Sequence, residues 1–342
     1  MCNGYTKNKS GWELFSRLML FFRKLIGIEI DMHILITGAS GFLGKSLVPI
    51  LSKQGHQVIG TSSKTCDLLD PNSLDQFEGE IFDRIFDFAV WTQAGDFSKR
   101  CPGEQWLINQ KTNTHLLDWW QRKQPQAKMI TIGTSCAYDP AFEMSEENYF
   151  AGTPMSSFFA YGMVKRMLLT GLEALRKQYG LEYVYAVPST LYGIEGYHTD
   201  GRQLHFIFDL IRKILRGKLY GEKVTLWGDG EQKREIVHVS DFLEALLHLA
   251  DHEKNQIFNI GEGREHSIKE FARLICEEVG YPISRIEYDP SGFVGARSKI
   301  LSIGRLKASY PTYAPRLPSE GIREIASWLL QNPKLLNYGT TY

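Results

Sequence analysis

The chain has 342 residues, and 39 Lys and Arg balance 39 Asp and Glu, so its formal net charge is zero. That balance argues against a nucleic-acid or polyanion binder, which would carry a basic excess. No apolar stretch reaches the ~18–20 residues that cross a bilayer. The five cysteines (Cys2, Cys66, Cys101, Cys136, Cys276) are odd in number and form no C-x-x-C pair. This excludes a disulfide framework or zinc ribbon and points to a reducing, cytoplasmic setting with no structural metal.

Residues 1–31 read as an extension outside the fold. The segment 14–30 is amphipathic and basic, its apolar run broken by Arg17, Arg23 and Lys24. It makes a poor signal peptide, and a packing extension is preferred over a membrane-surface helix. From Met32 the pattern sharpens. Residues 33–37 form a short apolar run typical of a buried parallel strand, followed by a glycine-rich turn and a helical pattern through Leu47, Val48, Ile50 and Leu51. Gly55 ends that helix, and 57–60 begin a second strand. Further strands are expected at 85–90, 128–132 and 183–187, each after a helical segment. After Pro188, helices are expected at 204–215, 241–250, 268–279 and 319–330. Strand alternating with helix implies an α/β fold with a doubly wound parallel sheet.

Gly38, Gly41 and Gly44 give G-x-x-G-x-x-G between a strand and a helix, with Ser40, Phe42 and Leu43 inside the turn. The first glycine permits the tight turn, the second a close approach of backbone to a pyrophosphate, and the third close helix–strand packing. NAD-binding turns place a carboxylate at the end of the second strand. Here Ser62, Ser63 and Lys64 stand there instead, which suits a 2′-phosphate and therefore NADP(H). Asp67 is placed to meet the adenine amino group.

Tyr161 and Lys165 are four residues apart on one helical face, so the ammonium is expected to lower the phenol's pKa. Thr134 follows the strand at 128–132, at a carboxyl end where doubly wound sheets gather ligands. With these residues the chain resembles the extended short-chain dehydrogenase/reductases of the NAD-dependent epimerase/dehydratase family, and within it the GDP-L-fucose synthase branch. The resemblance runs from Met32 to about Pro333. It includes Asn109 and Asn113, the stretches 134–138, 188–193 and 227–230, Arg234-Glu235, and Val239-Ser240-Asp241.

That resemblance implies a Rossmann-like domain over 32–187 with a returning segment near 233–260. It also implies a smaller C-terminal substrate-binding lobe over 188–232 and 261–335. It puts Asn109 and Pro188 with the cofactor residues and Ser135 with the substrate, and makes Thr134 the hydroxyl beside Tyr161. Members of the branch epimerise carbons 3 and 5 of a GDP-linked 4-keto-6-deoxy sugar and then reduce carbon 4 with NADPH. Inversion needs a proton removed from one face and another delivered to the opposite face, hence two acid/base groups. Cys136 and His205 match the family's cysteine and histidine. Related dehydratases carry Asp-Glu after the threonine, where this chain has Ser135-Cys136.

The resemblance further nominates Arg212, Trp227, Arg234 and Lys299 for the nucleotide diphosphate. It implies a homodimer through the helix carrying Met163, Met167, Leu168 and Leu172. Trp91 stands where relatives have smaller residues, so a different sugar is expected to be accommodated. The alternatives are a pure 4-reductase, a 4-epimerase that retains NAD, or a non-catalytic NADP sensor.

Overall fold

The computed structural model describes residues 31–200, 203–291 and 297–337. The expected N-terminal extension and its amphipathic segment lie outside the described residues. The chain runs through β1 (His33–Thr37), α1 (Phe42–Lys53), β2 (Gln57–Gly60), β3 (Arg84–Asp87), α2 (Phe97–Arg100), α3 (Pro102–Lys123), β4 (Lys128–Ile132), α4 (Phe159–Tyr179) and β5 (Tyr183–Pro188). It continues with β6 (Thr190–Tyr192), α5 (Phe206–Tyr220), β7 (Val224–Trp227), β8 (Lys233–Arg234), β9 (Ile236–His238), α6 (Val239–His252) and β10 (Gln256–Ile260). The last elements are β11 (His266–Ser267), α7 (Ile268–Val279), β12 (Ile286–Asp289), α8 (Gly304–Ser309) and α9 (Pro318–Gln331).

Six parallel strands form one sheet in the order β10-β5-β4-β3-β1-β2. The order reverses around β1 and β3, which opens a crevice at the strands' carboxyl ends. β1 and β4 are buried from their second residue onward, as strands covered on both faces require. β3 was expected to reach residue 90 but stops at Asp87. Its neighbours β1 and β4 both leave the sheet there, the first into the glycine turn and the second into Gly133-Thr134. The Asp87 carboxylate closes the strand end by accepting from the hydroxyls of Thr37 (2.7 Å) and Thr131 (2.9 Å).

Two apolar cores form. One surrounds the large sheet, and Leu301, Ile303, Leu306 and Tyr313 from late in the chain pack into it. The other joins α5, α7 and α9 around Phe208, Ile211, Phe271 and Ile325. α5 starts two residues later than expected and runs on to Gly221, whose left-handed φ of 70° ends it. α6 starts two residues earlier than expected, because the His238 ring accepts from the Ser240 N–H and caps the helix. Of the four apolar residues expected to face outward from α4, Leu168 and Leu172 are buried within the chain and Met163 is half-buried. Met167 is exposed.

Candidate active site

A single cleft of about 1170 Å³ runs from the glycine turn across the sheet's carboxyl ends to the α5 side. That exceeds the usual range of ~300–1,000 Å³ for one small ligand, so two can lie in it end to end. Gly38, Ser40, Gly41, Phe42, Leu43, Ser62, Ser63 and Asp67 line one end. Gly38 adopts φ +66°, and an added Cβ would stand 2.7 Å from the Phe88 backbone. A Cβ on Gly41 would meet only the Gly38 carbonyl, at 3.1 Å. Gly44 does not line the cleft; its missing Cβ lets α1 approach Ala39 and the Gly38 carbonyl. With the amino end of α1 behind this open cradle, the turn fits a dinucleotide pyrophosphate. Farther along, Pro188 and Ser189 line the cleft, and the buried Ser189 hydroxyl has no hydrogen-bond partner among the described residues. A bound polar group satisfies such an atom.

Two expected cofactor residues stand outside this lining. Lys64 is exposed beyond it, its N–H bonded to the Ser62 hydroxyl at 3.3 Å. Asn109 is buried and braces the wall: its amide accepts from the Trp91 N–H (2.8 Å) and donates to the Trp91 carbonyl (2.9 Å). Trp91 itself stacks edge-on against Phe97, with ring centroids 4.8 Å apart, and lines the cleft.

Thr134, Ser135, Cys136 and Tyr161 gather in the middle of the cleft. The Thr134 hydroxyl accepts from the Cys136 N–H at 3.2 Å, and it lines the cleft together with the Tyr161 phenol. Arg166 clamps the turn that follows onto α4, donating to the carbonyls of Ala137 (3.0 Å), Gly152 (2.8 Å) and Ala151 (2.8 Å). The phenol departs from expectation. Burial raises its pKa, Cys136 and Tyr149 add to the rise, and only Thr134 acts in the opposite direction. Lys165 is buried behind the lining, its ammonium pushed down by desolvation and supported by the charge of Asp87.

His205 precedes the first turn of α5 and lines the cleft on the α5 side, exposed to it. Desolvation within the cleft and the charges of Lys299 and Arg234 push the imidazole down to about 4. Lys299, expected at the diphosphate, lines the cleft and donates from Nζ to Cys136 Sγ at 3.4 Å. Arg234 and Trp227 line the far end, and burial pulls the Arg234 guanidinium down. Arg212 does not reach the cleft. It is 2% exposed, paired with Asp209 at 2.8 Å beneath α5. Its neighbour Lys213 takes that place, 5.7 Å above the Trp227 ring and paired with Asp209. At the rim, the Gln203 amide accepts from the Asp96 N–H at 3.0 Å and packs on Gly95, joining the loop after β3 to the approach to His205.

The arrangement offers a dinucleotide cradle, a protonated phenol and a thiol side by side, a neutral imidazole, and cations at the far end. Known proteins are similar to this chain over most of its length. A probable GDP-L-fucose synthase 1 from Oryza sativa subsp. japonica is 25% identical over 87% of this chain and 92% of its own length. A dTDP-4-dehydro-6-deoxy-D-allose reductase from Streptomyces bikiniensis is 25% identical over 86% of this chain and 95% of its own. The crystal structure of a GDP-L-fucose synthetase from Naegleria fowleri bound to NADP superimposes with a TM-score of 0.78 at 22% identity, covering 89% of this chain and 94% of that one. Residues 34–261, two-thirds of the chain and all of the large sheet but its first residue, match one family model, and the chain belongs to the NAD dependent epimerase/dehydratase family.

Proposed function

We propose that this protein uses NADPH to convert a nucleotide-linked 4-keto-6-deoxy sugar, with GDP as the nucleotide, by inverting carbons 3 and 5 and reducing carbon 4. The observation that carries the reading is the meeting of Cys136, Thr134 and Tyr161 in one cleft with His205 on its other wall. The glycine cradle holds the cofactor pyrophosphate, Ser62 and Ser63 meet a 2′-phosphate, and Ser189 meets a polar group near the cleft's centre. NADPH, when bound, supplies the hydride. Lys213, Arg234 and Trp227 hold the nucleotide diphosphate, with Ser135 near the sugar.

Carbons beside a ketone are acidic because the enolate places charge on oxygen, where the Thr134 and Tyr161 hydroxyls donate hydrogen bonds. His205, neutral at pH 7, accepts the proton; Cys136 returns one to the opposite face. In the reduction, Tyr161 gives its proton to the carbon-4 oxygen, and its raised pKa keeps that proton in place until then. A free Cys136 thiol suits a reducing, cytoplasmic setting. Exposed Trp106 and Leu107 on α3 and Phe159 and Met167 on α4 support a homodimer across these two helices.

The similarity to a dTDP-sugar reductase favours, as the second reading, a 4-reductase that does not epimerise. Incubation with GDP-, dTDP- and CDP-linked 4-keto-6-deoxyhexoses and NADPH in deuterated water separates the two. Oxidation of NADPH with deuterium at carbons 3 and 5 supports the first reading, and oxidation without deuterium the second. Tight NADP binding with no turnover of any sugar would leave only a sensor.

A further inference from the structure

A thiol that passes a proton to carbon is left as an anion, and the chain must stabilise that charge inside a cleft. We propose that Lys299 is the positioning residue for Cys136, holding the sulfur in place and stabilising the thiolate that forms when the thiol delivers its proton. The inference rests on the acid/base role of Cys136 given above.

Nζ of Lys299 lies 3.4 Å from Sγ with donor geometry, and a cation beside a sulfur favours its anion. The contact joins residues 163 apart in sequence, and both ends are fixed. On the lysine side, the Leu301 N–H donates to buried Glu235 at 2.8 Å, the Ser302 N–H to the Met144 carbonyl at 3.0 Å, and the Asn259 amide to the Ser302 carbonyl at 3.0 Å. On the cysteine side, the Thr134 hydroxyl and the Arg166 guanidinium hold the turn. Among the described residues Lys299 forms no ion pair with a carboxylate, so its charge acts on the cleft. The proton balance is simple. The S–H bond breaks with its electron pair staying on sulfur, the enolate's pair forms the new C–H bond, and the enolate oxygen returns to a ketone. Lys299 keeps its protons throughout, and water restores the thiol.

The test uses the full chain with Lys299→Met and Lys299→Arg. Alkylation of Cys136 by iodoacetamide, read by peptide mass spectrometry without substrate, is expected to slow about tenfold at pH 7 in Lys299→Met. Lys299→Arg, which keeps the charge, is expected to recover much of that rate. At saturating nucleotide sugar, deuterium incorporation at carbons 3 and 5 should fall about tenfold or more in Lys299→Met. Unchanged alkylation with only a raised KM makes Lys299 a phosphate ligand and overturns the proposal. Lys299-dependent alkylation in a wild type that shows no carbon exchange sustains the thiol pairing and removes the epimerase reading instead.

Discussion

Thr134 and Cys136 are two residues apart, and the threonine hydroxyl holds the cysteine N–H in the same cleft as the Tyr161 phenol. The two halves of the proposed reaction therefore share one cleft yet use different proton donors, and substitutions should divide them. Cys136→Ser is expected to lower deuterium exchange at carbons 3 and 5 by about 10²-fold or more. The same variant should still oxidise NADPH with a sugar already inverted; loss of both halves together would falsify the assignment. Tyr161→Phe is expected to do the opposite, lowering NADPH oxidation by about 10²–10⁴-fold while exchange persists at a reduced rate. The proposed proton acceptor, His205, should set the pH profile. An imidazole pushed down to about 4 is neutral across pH 5–8, so exchange should hold its rate down to about pH 5 and fall below that as the acceptor is protonated. A decline centred near pH 6.5 would show an ordinary imidazole and sink that role.

At the scale of elements, the parallel strands were legible because buried strands carry short apolar runs between glycine and polar punctuation. β1 and β4 begin and end where the sequence pattern places them, and β2 begins there. Asp87 ends β3 through hydroxyls on two other strands, a cause that no local pattern contains. Arg212 shows the limit within the site. One residue along a helix turns about 100°, and Phe208, Arg212 and Leu215 share the buried stripe of α5 while Lys213 faces the cleft. The i+4 spacing from Phe208 was the available signal, and the resemblance alone could not supply it. The Lys299–Cys136 contact was hidden for another reason, since tertiary folding alone brings those segments together.

Glu235, after β8, carries a prediction of its own. Burial raises its carboxyl to about 7 from the ordinary 4.5, although it accepts the N–H groups of Gly263 (2.7 Å) and Leu301 (2.8 Å). Between those two values the unfolded chain holds fewer protons than the folded one, so stability falls as pH rises through that window, by up to about 3 kcal/mol. Glu235→Gln cannot ionise, and its melting temperature should gain on the wild type between pH 5 and pH 8. A constant difference across that range would show that Glu235 does not titrate there.

For the whole molecule, the two cores meet at the cleft. Phe42 from the glycine turn packs against Gly196 on the far side. No helix among the described residues is long and apolar enough to cross a membrane. Trp106, Leu107, Phe159 and Met167 remain exposed on α3 and α4, and apolar surface left on two adjacent helices is suited to burial against a second copy. Light scattering after gel filtration should give twice the chain mass, and Trp106→Glu with Met167→Glu should halve it. A wild-type monomer at micromolar concentration overturns the dimer.

The rim contact between Gly95 and Gln203 constrains how this sequence can vary. Gly95 has a φ of +74°, and a Cβ there would overlap the Gln203 amide. At that φ any residue but glycine is strained whatever stands at 203, and a side chain there would also displace the Gln203 amide from the Asp96 N–H. Anyone transplanting the loop after β3 from a relative to alter sugar choice would need to keep glycine at 95. Replacing it pushes on the segment that leads directly to His205, and a change meant for selectivity would surface as lost proton transfer.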